Sequence, residues 1–248
     1  ENKKIDKETA GMNIIEVVGL IRGPKGTKVK LTLQHEGETQ PYEVEIMRET
    51  IVVPSVEVKF VDGIAHLKLM KFGDRTSEEW DQAVALIISQ EPPVKGVILD
   101  LRNNPGGYLS GSVFIGSEFL SSGLVVQQEH SDGRKETFSV NRPGKLTTQT
   151  LVVLVNKGTA SASEIVAGAL QEYKRAKIIG ETTFGKGTIQ EAQDLLGGSG
   201  LHITTARWLL PSGKSVDKTG VIPDNQIKDD PNTEEDEQLS QAIKTLTD

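Results

Sequence analysis

The sequence predicts an α/β fold in which helices cover a β-sheet. From about residue 56, short apolar segments typical of strands alternate with segments of helical periodicity. Residues 151–155 (LVVLV) are the most continuous β-branched run, which is typical of a central strand buried on both faces. With 248 residues, of which 36% are hydrophobic, the chain is long enough to bury such a core.

Residues 1–52 are predicted to form a thin unit at the start of the chain. Four apolar residues share one helical face: Ile14, Val17, Val18 and Ile21. Gly23 and Pro24 end this helix, and the alternating segments 28–34 and 42–46 predict a β-hairpin. One helix and two strands are too few to close a core, so we interpret this unit as part of a domain.

Residues 53–228 carry the alternation of strands and helices. Two hairpins are predicted, one over residues 56–69 with its turn at Asp62 and Gly63, and one over residues 124–140. Single strands are predicted over residues 97–101, 151–155 and 177–179. One predicted helix begins with the capping-box pair Thr76 and Glu79. Its expected buried stripe is Trp80, Val84, Ile87 and Ile88. Helical spacing returns from Leu109 and again from Ile165.

Composition excludes several classes of function. The net charge is −7, and residues 224–248 hold eight acidic side chains against two lysines, so the rest of the chain is nearly neutral. A nucleic-acid partner is therefore not expected, since it would require a clustered basic stripe. The chain has no Cys, which excludes disulfides, thiolate metal sites and a cysteine nucleophile. Apolar residues in the acidic tail could form a helical stripe through which copies would assemble as a homo-oligomer: Leu239, Ala242, Ile243 and Leu246.

Ser161 follows the predicted central strand and precedes a helix. The free N–H groups and the dipole of a helix N-terminus can stabilise an oxyanion, so a serine there is well placed for acyl chemistry. Glu164 stands three residues later and completes a capping-box pattern, which is the purely structural interpretation. Catalysis would require a base in addition.

Lys186 is the candidate base, because it stands between Gly185 and Gly187 in a loop after the predicted strand 177–179. A lysine ordinarily has a pKa near 10.4, so a lysine base must be desolvated or lie near positive charge. The flanking glycines would permit such close packing. A strand beginning after Gly187 would place Lys186 and Gln190 on one face, where Gln190 could orient the amine. An ordinary turn lysine is the alternative.

A phosphate-binding loop and a histidine-based site are the alternatives to the pair Ser161 and Lys186. Residues 180–186 match G-x-x-x-x-G-K, but Gly187 replaces the Ser or Thr of a phosphate-binding loop, and a strand is expected next instead of a helix. The four histidines lack metal-ligand spacing: His35, His66, His130 and His202. His66 and His202 lie in strand-like runs and are the alternative bases of a Ser-His-Asp triad.

Three blocks carry a resemblance to a known family. LDLRNNPGG at residues 99–107, KGTASASEIVAGAL at 157–170 and TFGKGTIQ at 183–190 resemble the carboxyl-terminal processing peptidases, or tail-specific proteases, in the family's order. The resemblance extends from about residue 11 to 225. It implies a crotonase-like serine-protease core at 53–228, a truncated C-terminal half of a PDZ domain at the N-terminus (1–52) and an acidic tail at 229–248.

The resemblance also implies the roles of five residues. Ser161 would be the nucleophile, Lys186 the general base and Gln190 the residue that orients the lysine, while the backbone N–H groups of Gly107 and Ala162 would form the oxyanion hole. No metal or organic cofactor is implied. The expected activity is that of a Ser-Lys endopeptidase that cleaves near the C-terminus of proteins with apolar tails.

The family's setting adds further expectations. Its members usually act in the periplasm, the cell envelope or a lumen, so an extracytoplasmic location is expected. Residues 11–52 resemble only the last helix and strands of the PDZ domain, from which we expect weak or poorly selective hydrolysis. A catalytically silent peptide-binding or scaffold fragment is the alternative.

Overall fold

A computed structural model describes residues 7–51, 53–195, 199–230, 232–233 and 235–247. The chain divides into two compact units, Glu1–Val53 and Pro54–Asp248. The first unit contains helix α1 (Ile14–Ile21) and the antiparallel strands β1 (Lys28–Leu33) and β2 (Tyr42–Met47). None of its described residues is buried, so these three elements build no core of their own.

A six-stranded sheet forms the centre of the second unit. In sheet order its strands are β12 (Asn225–Gln226), β9 (Lys177–Gly180), β8 (Leu151–Val155), β5 (Gly96–Asp100), β4 (Ile64–Leu69) and β3 (Val56–Val61). All neighbours are parallel except the β3–β4 hairpin. Every residue of β5 and β8 is buried, and β8 lies inside the sheet as its sequence predicted. Burial on both faces explains their continuous apolar runs.

A second, four-stranded sheet is entirely antiparallel. Its strands, again in sheet order, are β10 (Thr188–Asp194), β11 (Gly200–Leu209), β6 (Leu124–His130) and β7 (Lys135–Ser139). The hairpin predicted over 124–140 is therefore confirmed as β6 and β7. Strand β10 also confirms that the chain becomes extended after Gly187.

Four helices cover the two faces of the six-stranded sheet. They are α2 (Thr76–Ile88), α3 (Leu109–Phe119), α4 (Ala162–Glu172) and α5 (Glu237–Thr247). Side chains of α2, α3 and α4 share one core cluster with Leu67, Leu99 and Val153 of the sheet. Ile98 and Val152 point to the other face, which α5 covers. Among the residues that the structure describes, no helix is long and apolar enough to span a membrane.

The start of α2 differs from the predicted capping box. The Thr76 hydroxyl accepts a hydrogen bond from Gly73 N–H at 2.9 Å, and the Glu79 carboxylate accepts one from Ser55 N–H at 2.5 Å. Both side chains therefore bind backbone outside the helix. Ile88 is 51% exposed, so including it in the buried stripe was wrong as well.

The apolar stripe of α5 packs on the chain's own sheet. Ala242 is fully buried, and its three partners in the stripe pack against the same cluster: Leu239, Ile243 and Leu246. These side chains are therefore used within one chain and are not a free surface for docking a second copy.

A buried ionic network joins α5 to the end of β5. Asp100 has no exposed surface; its Oδ2 lies 3.0 Å from His66 Nε2 and accepts from Arg102 Nη2 at 2.8 Å. The Arg102 guanidinium also donates to Asp236, just before α5, at 2.7 and 2.9 Å. Burial acts to raise the pKa of Asp100, but the hydrogen bonds from His66 and Arg102 and the charge of Arg102 outweigh it and hold that pKa well below its usual range.

Replacing Asp100 by asparagine should destabilise the protein in a pH-dependent way. We expect the free energy of unfolding at pH 7 to fall by about 3–5 kcal/mol, because the largely buried Arg102 guanidinium loses the only fully buried of its carboxylate partners. A carboxylate with a lowered pKa stabilises the fold above its unfolded pKa of about 4 and loses that contribution on further acidification. Urea unfolding should therefore show the difference between wild type and variant shrinking below about pH 4.

Asp81→Asn is the control, since Asp81 lies on the exposed side of α2. It should change the free energy of unfolding by no more than about 0.5 kcal/mol. An Asp100→Asn effect of the same size at pH 7 would contradict the prediction.

Candidate active site

Three loops that leave neighbouring parallel strands build the site. Residues 101–107 follow β5, residues 156–161 follow β8 and residues 181–187 follow β9. These strands are adjacent and parallel, so their carboxyl ends meet at one edge of the sheet. In open α/β sheets this edge is where ligands bind. The three blocks that were singled out in the sequence thus come together for a topological reason.

Ser161 occupies a strained turn between β8 and α4. Its φ is +57° and its ψ is −119°, a conformation that L residues rarely adopt and that is often found at functional sites. Its backbone N–H donates to Glu164 Oε2 at 2.9 Å. This is one of the two hydrogen bonds of the predicted capping box, the one that the Glu164 carboxylate accepts. Ala162 is the first residue of α4, where amides lack intrahelical acceptors.

Gly107 lies against the backbone of Phe72. The two residues form a parallel bridge, and Tyr108 N–H donates to the Phe72 carbonyl at 3.1 Å. Gly107 has φ +142°, and a Cβ there would lie 1.9 Å from that same carbonyl oxygen. Only glycine fits this position, which explains the second glycine of the PGG sequence.

Asn104 joins the loop of residues 101–107 to the loop of residues 156–161, a role that was not predicted from the sequence. It is completely buried; its side chain donates to Leu69 O at 2.7 Å and accepts from Gly106 N–H at 2.9 Å. Its own carbonyl accepts from Ala160 N–H at 2.9 Å. Local spacing carries no signal for this role, because the partners lie 35 and 56 residues away.

The backbone of Lys186 is held on two sides. Its N–H donates to Glu164 Oε2 at 2.9 Å, and its carbonyl accepts from Trp208 Nε1 at 2.8 Å. The neighbouring Gly187 packs so closely on Asp217 that a Cβ would lie 2.6 Å from the Asp217 Cβ. The flanking glycines therefore permit close backbone packing, as the sequence predicted. Because β10 and not a helix follows, the phosphate-loop interpretation is wrong.

One cavity of about 290 Å³ brings the predicted site residues together. It is lined by all five of them: Gly107, Ser161, Ala162, Lys186 and Gln190. Gln190 lies on β10 beside a register shift between Ile189 and Gln190. His202 also lines the cavity, which makes it the histidine to test as the alternative base. His66 instead contacts Asp100.

The other cavity walls combine polar side chains, from Tyr108, Thr188 and His202, with apolar ones. The apolar residues are Leu109, Ile165, Ile189 and Trp208. The cavity therefore holds a serine hydroxyl, a lysine amine and two backbone amides within one small volume. Such a set can attack a carbonyl, accept a proton and stabilise the resulting oxyanion.

Comparisons with known proteins match the chain to peptidases. Residues 63–227 match the family model "Peptidase family S41". The chain is 41% identical over 224 residues to carboxy-terminal processing protease CtpA of Bacillus subtilis, covering 90% of the chain and 47% of that protein. It is 39% identical over 228 residues to a carboxy-terminal-processing protease of Bartonella bacilliformis, and the match covers 89% of this chain and 52% of that protein. The chain thus spans about half the length of these curated relatives.

A solved structure extends the likeness to the fold. The photosystem II D1 C-terminal processing protease superposes with a TM-score of 0.67 at 31% identity, covering 93% of this chain and 63% of that one. A putative S41 protease from Bacteroides fragilis superposes with a TM-score of 0.66 at 20% identity, which supports the fold alone.

Proposed function

The chain belongs to Peptidase family S41, and on that premise we propose that it is a serine endopeptidase with a Ser-Lys dyad. Ser161 is the nucleophile, Lys186 the general base and Gln190 the residue that orients the lysine amine. The N–H groups of Gly107 and Ala162 form the oxyanion hole. The observation that carries this proposal is that all five residues line one cavity.

The first half of the reaction forms an acyl-enzyme. Ser161 Oγ attacks the scissile carbonyl carbon while the neutral amine of Lys186 takes its proton. The carbonyl oxygen becomes an oxyanion, which the amides of Gly107 and Ala162 stabilise without rearranging. Collapse of the intermediate breaks the C–N bond, and Lys186 returns the proton to the leaving amine.

The second half restores the enzyme. A water molecule attacks the ester carbonyl, Lys186 again accepts a proton, and the same two amides stabilise the second oxyanion. Lys186 then returns the proton to Ser161 Oγ as the product leaves as a carboxylic acid, which ionises in water. Every proton is exchanged between the dyad, water and the substrate, so the scheme balances with no cofactor.

The substrate and setting of the activity are part of the same proposal. We propose that substrates are proteins with apolar C-termini, that residues 1–52 are part of a PDZ domain which binds such tails, and that the protein acts outside the cytoplasm. The apolar wall residues Leu109, Ile165 and Ile189 support an apolar side chain beside the scissile bond. The silent scaffold is not favoured, because the cavity keeps both the serine and the lysine.

Labelling and cleavage by the purified chain test the proposed function. A fluorophosphonate should react with one serine per chain, and mass spectrometry should locate the adduct on Ser161, because only an activated serine attacks phosphorus readily. The same protein should cleave an unfolded reporter with an apolar C-terminus, and with higher kcat/KM than a reporter ending in aspartates. Heat-denatured protein is the labelling control. A folded chain that neither labels nor cleaves would establish the silent fragment instead.

A further inference from the structure

Glu164 is a buried carboxylate whose contacts go well beyond a helix cap. It has no exposed surface and accepts four hydrogen bonds. Oε1 accepts from the Thr183 hydroxyl at 2.5 Å and from Gly185 N–H at 2.7 Å. Oε2 accepts from Ser161 N–H and from Lys186 N–H, each at 2.9 Å. A capping box accounts for only the Ser161 bond.

The two bonds to Oε2 join segments that reach the site separately. Ser161 ends the loop after β8, whereas Lys186 lies near the end of the loop after β9. Since both amide nitrogens lie 2.9 Å from one oxygen atom, they are within twice that distance of each other. The carboxylate thus fixes the separation of the two backbones from which the nucleophile and the base project.

Charge and burial make this link stiff. Hydrogen bonds to an ionised acceptor are shorter and stronger than neutral ones, and a buried carboxylate needs all of its donors. On the opposite side, Trp208 Nε1 holds the Lys186 carbonyl at 2.8 Å. Both backbone polar groups of Lys186 are therefore fixed, which leaves only its side chain free to adjust.

We propose that Glu164 is a positioning residue that sets the distance between Ser161 and Lys186 for the reaction, an inference that rests on the proposed function. Glu164 is not among the described residues that line the cavity, and it acts through the two amides that it binds. Catalysis is sensitive to such placement, because a displacement of about 1 Å can lower the rate about 10²-fold.

Glu164→Gln is the variant that tests this role. The amide nitrogen that replaces one carboxylate oxygen donates hydrogen bonds and does not accept them, so one pair of donors loses its acceptor. We expect kcat to fall about 100-fold with KM changed less than about threefold, since substrate binding is not touched. Amide hydrogen exchange at Ser161 and Lys186 should become at least about tenfold faster.

Glu118→Gln is the matched control. Glu118 is equally buried and also accepts four hydrogen bonds. Its donors are Trp80, Arg142, Lys145 and Leu146. None of these residues lines the cavity that holds Ser161, among the residues that the structure describes. We expect Glu118→Gln to lower thermal stability while leaving kcat within about threefold of wild type and exchange at Ser161 and Lys186 unchanged.

The outcomes distinguish the positioning role of Glu164 from the proposed function. A kcat for Glu164→Gln within threefold of wild type, or a loss matched by Glu118→Gln, would overturn the positioning role alone. Wild type without Ser161-dependent hydrolysis would overturn the proposed function and this inference with it. If Glu164→Gln does not fold, Glu164→Asp is tested instead, since the aspartate keeps the charge but shortens the side chain by one methylene. The same measurements of kcat, KM and amide exchange then test the positioning role.

Discussion

Substituting Ser161 by alanine, or Lys186 by methionine, is expected to lower kcat for peptide hydrolysis by at least about 10⁴-fold. The alanine variant has no oxygen to form the acyl-enzyme, and the methionine variant keeps an apolar stem of similar length but has no amine to accept the proton. Both residues line the same cavity, so neither change should disturb the buried core. Steady-state cleavage of an unfolded reporter, with circular dichroism to verify folding, measures the effect.

The double variant gives a sharper result than either single one. Residues that act as one catalytic unit are strongly non-additive, so Ser161→Ala combined with Lys186→Met should be no slower than the worse single variant. Lys157→Met is the control. Lys157 is an exposed lysine in the same loop as Ser161, with its Nζ 3.2 Å from Glu181 Oε1, and its loss should leave kcat within about threefold.

A histidine base would give a different pattern. His202 lines the same cavity as Ser161, so it is the residue that could serve as the base in place of Lys186. If Lys186→Met retained wild-type kcat while His202→Gln lost it, the base would be His202 and Lys186 would be only a structural part of the loop. The expected pattern is the reverse, with His202→Gln retaining most of its activity.

Sequence reasoning succeeded where the signal is local. Continuous apolar residues placed β8 inside the sheet, and the chain after Gly187 is a strand as expected. Ser161 and Lys186 were also singled out, because a serine before a helix and a lysine between two glycines are visible in short windows, whereas the role of Gly107 came from the family resemblance. Their convergence follows from the parallel arrangement of β5, β8 and β9.

Contacts between distant residues were out of reach. Glu79 looked like a capping residue, yet its carboxylate accepts from Ser55, 24 residues earlier. Arg102 binds Asp236, 134 residues later, so the acidic tail could not be recognised as a partner of the core. Glu164 was interpreted as a cap because the Ser161 bond is local, whereas the Lys186 bond requires the fold of β9. In each case a polar side chain had several acceptable partners, and only the tertiary structure chose among them.

Replacing Gly107 by alanine is expected to lower kcat about 10²–10³-fold, the effect of losing one oxyanion donor. The new Cβ would lie 1.9 Å from the Phe72 carbonyl oxygen, a backbone atom, so the loop must move instead of a side chain. That movement would carry the Gly107 N–H away from the proposed oxyanion hole. KM should change less than about threefold, because the donor acts mainly in the transition state.

Gly133→Ala separates this effect from the cost of alanine at positive φ. Gly133 has φ +84° in the turn between β6 and β7, and a Cβ there meets no atom within 4 Å. Both variants should lose about 1 kcal/mol or more of unfolding free energy from backbone strain, but only Gly107→Ala should lose kcat. Equal kcat values for the two folded variants would remove Gly107 from the oxyanion hole and leave it as a packing glycine, since the collision with Phe72 would then have no catalytic consequence.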